Sequence, residues 1–293
     1  MIRYSCHSEN FGVTTPEQTF SFISVLGFDC IDVASRTLIP QKSILAYPLD
    51  SARRFHELSN RYSLPLSELF LSSVEVDGIP ISPASPEAGS SDFCKNFDTV
   101  CTFAEHAGFS SIMGTAGPAV DSVDYAEIFH ATAKTLREQV SIAADHGLEF
   151  HVEPYRLSLL NNVEACLQMA EAVPGLKFTL DFLHFQIQGI PLSESLKLLP
   201  VAGHLHARQA KFQVGKCDFI RGEIDYSAVV RAMKCLNWSG DIAMEFWCSP
   251  ELEAAGVQAV EQNLVMRYCL KSLFSQDLDE SLELFHDQDP HRP

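Results

Sequence analysis

Short apolar runs alternate with helical patterns along this chain, and that alternation limits the fold more than any single motif. Strand-like runs occupy residues 2–5, 30–34, 67–72, 111–114, 149–153, 177–181, 203–207 and 241–246. Each is brief and mostly apolar, as strands buried on both faces of a parallel sheet are. Helical spacing falls at residues 16–26, 50–62, 93–106, 125–146, 162–172, 192–199, 226–236 and 251–273. The punctuation agrees. Thr15 can cap a helix that opens on Pro16. Asp225 can accept the free amide hydrogens of YSAVVRAMKCL. Gly27, Gly108 and Gly147 follow helical patterns as stop signals. Eight strand–helix units in 293 residues predict a single-domain (β/α)8 barrel, which takes about 250 residues. The rival is an open doubly wound sheet. Its nucleotide-binding form is disfavoured, because no Gly-x-Gly-x-x-Gly turn and no P-loop is present.

The last four runs end on groups that can bind a cation: Glu153 in LEFHVEPY, Asp181 in KFTLDFLH, His206 in AGHLHARQ and Glu245 in DIAMEFW. Strand side chains alternate, so His151 shares a face with Glu153, and His204 with His206. In a barrel, the inward residues at the C-terminal strand ends open on the active site. Taken singly, a strand-end Glu is usually solvated and a strand His is usually hydrogen-bonded core. Four such groups on four consecutive strands are much harder to assign to chance. Three carboxylates and one imidazole suit one divalent ion, Mn²⁺ first, with Mg²⁺ or Co²⁺ as alternatives, over sulfur-loving metals.

Around these four stand candidates for substrate contact. His184 follows Asp181 by three residues, Arg208 follows His206 by two, Arg221 precedes the Asp225 cap, and Trp247 lies just beyond Glu245. Each also has a bland reading: a loop hydrogen bond, a surface charge, a packed ring. His204 and His151 read as supporting or core residues. Glu68, Asp32 and His7 sit near earlier strand ends as weaker pocket candidates.

The net charge of −17, from 21 basic and 38 acidic residues, opposes nucleic acid or an anionic membrane as partner. A small anionic substrate stays open, because a metal and a few arginines can reverse the local field. Nine cysteines, an odd count, lack any C-x-x-C pair, and several fall in apolar patterns, which suits free thiols in a reducing compartment. The chain shows no signal-like core and no long apolar span, so the expected location is the cytoplasm. Residues 74–91, rich in Pro, Ser and Gly, read as a loop at the barrel mouth, either a lid or a tolerated insertion. The expected division is a barrel over 1–274 and an acidic tail over 275–293.

The strings HVEPYR, LDFLH, GHLHARQ, RGEIDY and AMEFW, in that order and spacing, resemble the sugar phosphate isomerase/epimerase superfamily. This is the xylose-isomerase-like TIM-barrel group of ketose 3-epimerases and inosose-processing enzymes. The resemblance implies that Glu153, Asp181, His206 and Glu245 hold one divalent metal. It also implies that Glu153 and Glu245 move protons, and that His184 and Arg221 hold oxygens of a small carbohydrate. Relatives often form dimers or tetramers, so a homo-oligomer is allowed. Two departures stand out. Leu159 occupies the place of a second Glu found in ketose 3-epimerases, and Arg208-Gln209 replace an acidic neighbourhood. The expected activity is therefore a metal-dependent isomerase or epimerase acting beside a carbonyl. The alternative is a lyase or decarboxylase for an oxidised sugar or sugar acid. A nuclease resembling endonuclease IV fits the charge poorly, and a non-enzymatic barrel is the remaining reading.

Overall fold

The strands close on themselves. In the computed structural model, which describes residues 1–12, 14–118 and 124–276, eight parallel strands form a closed barrel. They are β1 (Ile2–His7), β2 (Cys30–Ala34), β3 (Leu66–Ser72), β4 (Ser111–Gly114), β5 (Glu149–Val152), β6 (Lys177–Asp181), β7 (Ala202–Ala207) and β8 (Gly240–Met244). Sequential strands are neighbours, and β1 pairs with β8, Ile2 opposite Gly240 through Cys6 opposite Met244. The open doubly wound sheet is thereby excluded.

Alternation along each strand divides the residues between two environments. Outward residues such as Ile31, Leu69, Ile112, Phe150, Leu180, Leu205 and Ile242 belong to one continuous apolar cluster shared with the helices. Inward residues are largely polar, among them Ser5, His7, Asp32, Glu68, Ser111, His151, Thr179, His204 and His206, all buried. A barrel interior is more often filled with branched apolar chains, so this polar interior is the first structural clue to function.

The predicted caps form. Thr15 and Gln18 make a reciprocal capping box ahead of the helix Pro16–Val25, and Asp225 accepts from Ser227 and Ala228 at the head of Tyr226–Cys235. The expected helix over 251–273 is instead two, Pro250–Ala254 and Ala259–Ser275. Gly256 between them has φ +79°, a left-handed conformation that ends helices. The expected helix over 192–199 gives one α-turn, Leu192–Ser195, and then a 3-10 stretch, Leu196–Val201, which contains Pro200.

The 74–91 segment has structure of its own. Val74–Val76 and Ile79–Ile81 pair antiparallel across Asp77-Gly78, both at positive φ, as a two-residue hairpin loop prefers. Gln41 ties its base by accepting from the Glu75 amide and donating to the Ser73 carbonyl. Of the expected tail, Ser275 ends the last helix, and residues 277–293 lie outside the described residues. All nine cysteines are free thiols, and among the described residues no helix is long and apolar enough to cross a membrane.

Candidate active site

Register brings the four strand-end groups together. Asp181 on β6 lies opposite His206 on β7, and β8 runs alongside so that Ala243 pairs with His206. The amide of Glu245, just past β8, donates to the Ala207 carbonyl, and that of Glu153, just past β5, donates to the Gly114 carbonyl. The β5–β8 arc therefore delivers its four residues to one sector of the C-terminal rim, and all four are buried.

His206 is the hub. Its Nδ1 stands 3.0 Å from Glu153 Oε1 and 3.2 Å from Glu245 Oε2. Its Nε2 points down the barrel, 3.7 Å from Asp32 Oδ2. One atom from each of Glu153, His206 and Glu245 falls within 4.8 Å of the others, and so do atoms of Glu153, Asp181 and His184. Glu153 belongs to both groups and links them. Burial opposes a charged His206, but Glu245, Asp32 and Glu153 outweigh it and raise its pKa well above the ordinary imidazole value. Burial likewise opposes a charged Glu245, and Arg208 with His206 hold its pKa well below the carboxylate range.

Arg208 is built into this cluster. Its Nε donates to Asp181 Oδ2 at 2.7 Å, while Nη2 lies 2.5 Å from the same oxygen and 3.1 Å from Glu245 Oε2. Tyr226 clamps the arginine backbone, accepting from its amide at 3.0 Å and donating to its carbonyl at 2.8 Å. A planar fork seated between two carboxylates is a geometry that lysine cannot reproduce. Sequence reasoning had no means of finding the Tyr226 clamp, because the partners are 18 residues apart with no motif between them.

The other candidates separate. His184 sits in the short helix Phe182–Gln186, with Nε2 3.8 Å from Asp181 Oδ2 and a buried Nδ1 that has no partner. Trp247 is at the mouth, 39% exposed, with the Lys216 ammonium 3.1 Å above its ring centre. Burial lowers the pKa of Lys216 to about 8. Arg221 does not join the cluster. Its guanidinium pairs with Asp218 at 2.5 Å and is 60% exposed, so the expected substrate contact is here a surface ion pair three residues long. Leu159 is buried, which leaves no second carboxylate at that position.

Beneath the rim lies a second polar layer. Asp32 accepts from Ser5 at 2.5 Å and pairs with His204 at 2.7 Å. Glu68 pairs with His151 at 2.6 Å and accepts from Thr179 at 2.9 Å and Ser111 at 3.1 Å. The His151 ring occupies the space where a Cβ on Gly203 would lie, 2.3 Å from Nε2, so only glycine fits there. Burial opposes a charged His151, yet Glu149 and Glu68 raise its pKa to about 9. Burial lowers the pKa of His7 and outweighs the opposing pull of Glu245, Glu9 and Asp32.

The donor set fits a hard divalent ion. Carboxylate oxygens and one imidazole nitrogen converge, and Glu245 Oε2 and the neighbouring His184 Nδ1 are buried without a well-aligned hydrogen bond, which buried polar atoms seldom tolerate.

Comparison with known proteins agrees with this fold. The sequence profile of the xylose isomerase-like TIM barrel family matches residues 20–268. No curated protein matches the sequence. Among solved structures, D-psicose 3-epimerase crystallised with D-fructose superposes with a TM-score of 0.75 at 15% identity, covering 94% of this chain and 100% of that one. The 3-keto-D-glucoside 4-epimerase of E. coli gives 0.70 at 15% identity, over 92% and 100%. A probable 3-DHS dehydratase from Bacillus anthracis gives 0.71 at 14% identity, over 90% and 98%. At these identities the likeness establishes the fold.

Proposed function

Because the chain belongs to the xylose isomerase-like TIM barrel family, we propose that it is a divalent-metal-dependent isomerase or epimerase of a sugar, keto-sugar or polyol derivative. The observation that carries this reading is the convergence of Glu153, His206 and Glu245, with Asp181 and His184 beside them, at one buried sector of the rim. Glu153, Asp181, His206 and Glu245 would hold the ion, Mn²⁺ first among candidates. When bound, it would supply Lewis acidity to a carbonyl and an adjacent hydroxyl.

The remaining chemistry belongs to the side chains. One of the two glutamates takes the proton from the carbon next to the carbonyl. The other returns a proton to that carbon from its opposite face, inverting it. Return to the neighbouring carbon gives aldose–ketose exchange instead. The Arg208 charge faces the negative charge that develops on oxygen, and His184, with a free buried Nδ1, can donate to a hydroxyl. Trp247 offers an apolar wall at the mouth.

A second reading has its own support. The buried Arg208 fork and the nearby Lys216 ammonium suit a carboxylate-bearing or otherwise oxidised sugar. With a leaving group on the adjacent carbon, the same proton abstraction would end in elimination or decarboxylation.

Both readings are tested by incubating the protein with Mn²⁺ and candidate ketoses, inososes and 3-oxo sugars in deuterated water. Deuterium incorporation at the carbon beside the carbonyl, with mass otherwise conserved, supports the isomerase. Loss of CO₂, water or an aglycone supports the lyase. No exchange with any of these compounds overturns both.

A further inference from the structure

A groove of about 990 Å³ opens beside the rim cluster, between the segments that follow β1, β2 and β8. Phe11 and Phe22 line it with ring centres 5.9 Å apart, together with Trp247, Glu9 and Arg36. Phe22 is 46% exposed and Trp247 39%, so these rings present apolar surface to solvent rather than filling the core.

Contacts join the groove to the candidate active site. Glu9 holds Arg36 through two hydrogen bonds of 2.6 and 2.5 Å. The Arg36 guanidinium lies 5.5 Å from the Phe70 ring centre, and Phe70 stacks on His206 with centres 6.4 Å apart. On the other side, Trp247 is two residues beyond Glu245. Pockets of about 300–1,000 Å³ hold drug-sized ligands. One sugar ring on the rim carboxylates would therefore leave this space unused.

We propose that the groove is a second subsite, which takes the aglycone or second ring of a glycoside while its oxidised ring sits on the rim carboxylates. This rests on the keto-sugar reading of the rim. The lining matches such a group. Flat aromatic faces receive the C–H face of a ring or an aryl aglycone, and the carboxylate and guanidinium of Glu9 and Arg36 accept from and donate to its hydroxyls. A net charge of −17 favours a neutral occupant over a polyanion.

The test is calorimetric titration of the Mn²⁺-supplemented protein with two probes, 3-oxoglucose and phenyl 3-oxo-β-glucoside, for wild type and Phe22→Ser. Phe22 is exposed, so the substitution leaves folding intact. The wild type is expected to bind the phenyl glycoside more tightly. Phe22→Ser is expected to weaken the glycoside about fivefold to tenfold while binding 3-oxoglucose unchanged. If 3-oxoglucose binds but the glycoside gains nothing, or if Phe22→Ser affects both probes equally or neither, the subsite is overturned and the rim reading stands. If wild type binds neither probe, both are overturned. Sedimentation completes the test: a wild-type dimer that Phe22→Ser dissociates would assign the groove to self-association and overturn the subsite.

Discussion

Two layers of acid and imidazole lie one above the other inside this barrel, and they differ in how completely their hydrogen bonds are used. In the lower layer Asp32, Glu68, His151 and His204 are paired, Ser5 and Thr179 donate to the remaining oxygens, and Ser111 adds a second bond to the Glu68 oxygen that holds His151. Two carboxylates face two imidazoles, so the charges can balance without any ion. In the upper layer Glu245 Oε2 and His184 Nδ1 have no aligned partner, and neither has His206 Nε2, on the edge of that ring turned towards Asp32. Asp32, Glu68, His204 and His206 also come within 4.8 Å of one another, so proximity alone would rank the layers equally. Unmet hydrogen bonding separates them: a satisfied network specifies structure, and unsatisfied buried atoms point to a ligand.

The largest expected effect is on turnover. Glu153→Gln keeps shape and burial but removes a charge and a proton carrier, and should lower kcat by about 10²–10⁴ with little change in melting temperature. In the lower layer, Glu68→Ala removes the buried one of the two carboxylates paired with His151 and leaves the Ser111 and Thr179 hydroxyls without their acceptor. It should cost about 3–5 kcal/mol of stability in urea unfolding, while turnover per folded molecule persists. If Glu68→Ala silenced the protein without destabilising it, the distinction between the layers would be lost. The two inward histidines of β7 give a finer contrast. His206→Ala should weaken Mn²⁺ binding in calorimetry by at least about 10–100-fold. His204→Ala should chiefly lower stability. Equal losses of Mn²⁺ affinity in the two variants would mean that the layers act as one site.

The barrel and its rim were legible in the sequence for one reason: strand-end position is a local property. A residue that closes an apolar run in a strand–helix repeat faces the C-terminal mouth whichever strands are neighbours, and Glu153, Asp181, His206 and Glu245 could be read that way. The lower layer depends on register. Nothing near Glu68 in sequence points to His151 or Thr179, which reach it from β5 and β6, so Glu68 and Asp32 looked like weak pocket candidates. Arg208 was singled out as a substrate contact, but its seat between Asp181 and Glu245 needed three strands in place. Arg221 stands apart from the cluster for a local reason. A nearby Asp218 captured a side chain whose motif position suggested a longer reach.

The smallest expected effect supplies the solvent-side reference for both layers. His146, at the end of the helix Tyr125–Asp145, pairs with Glu105 at 2.7 Å and Asp98 at 3.0 Å, the same chemistry as His151 with Glu68 but with partners 47% and 59% exposed. Burial is the largest single influence and pulls its pKa down, but the hydrogen bonds to Asp98 and Glu105 together outweigh it and raise the pKa. A raised folded-state pKa means that folding favours the protonated form. The added stability is therefore fully present below the unfolded imidazole pKa of about 6.5. It is lost as pH rises through the folded-state value. His146→Gln should then cost under about 1 kcal/mol in urea unfolding on the acid side of this window and nothing on the alkaline side. An equal cost on both sides would show that His146 stabilises by packing rather than charge. It would also weaken the inference that the corresponding buried pair, His151 with Glu68, is held together by charge.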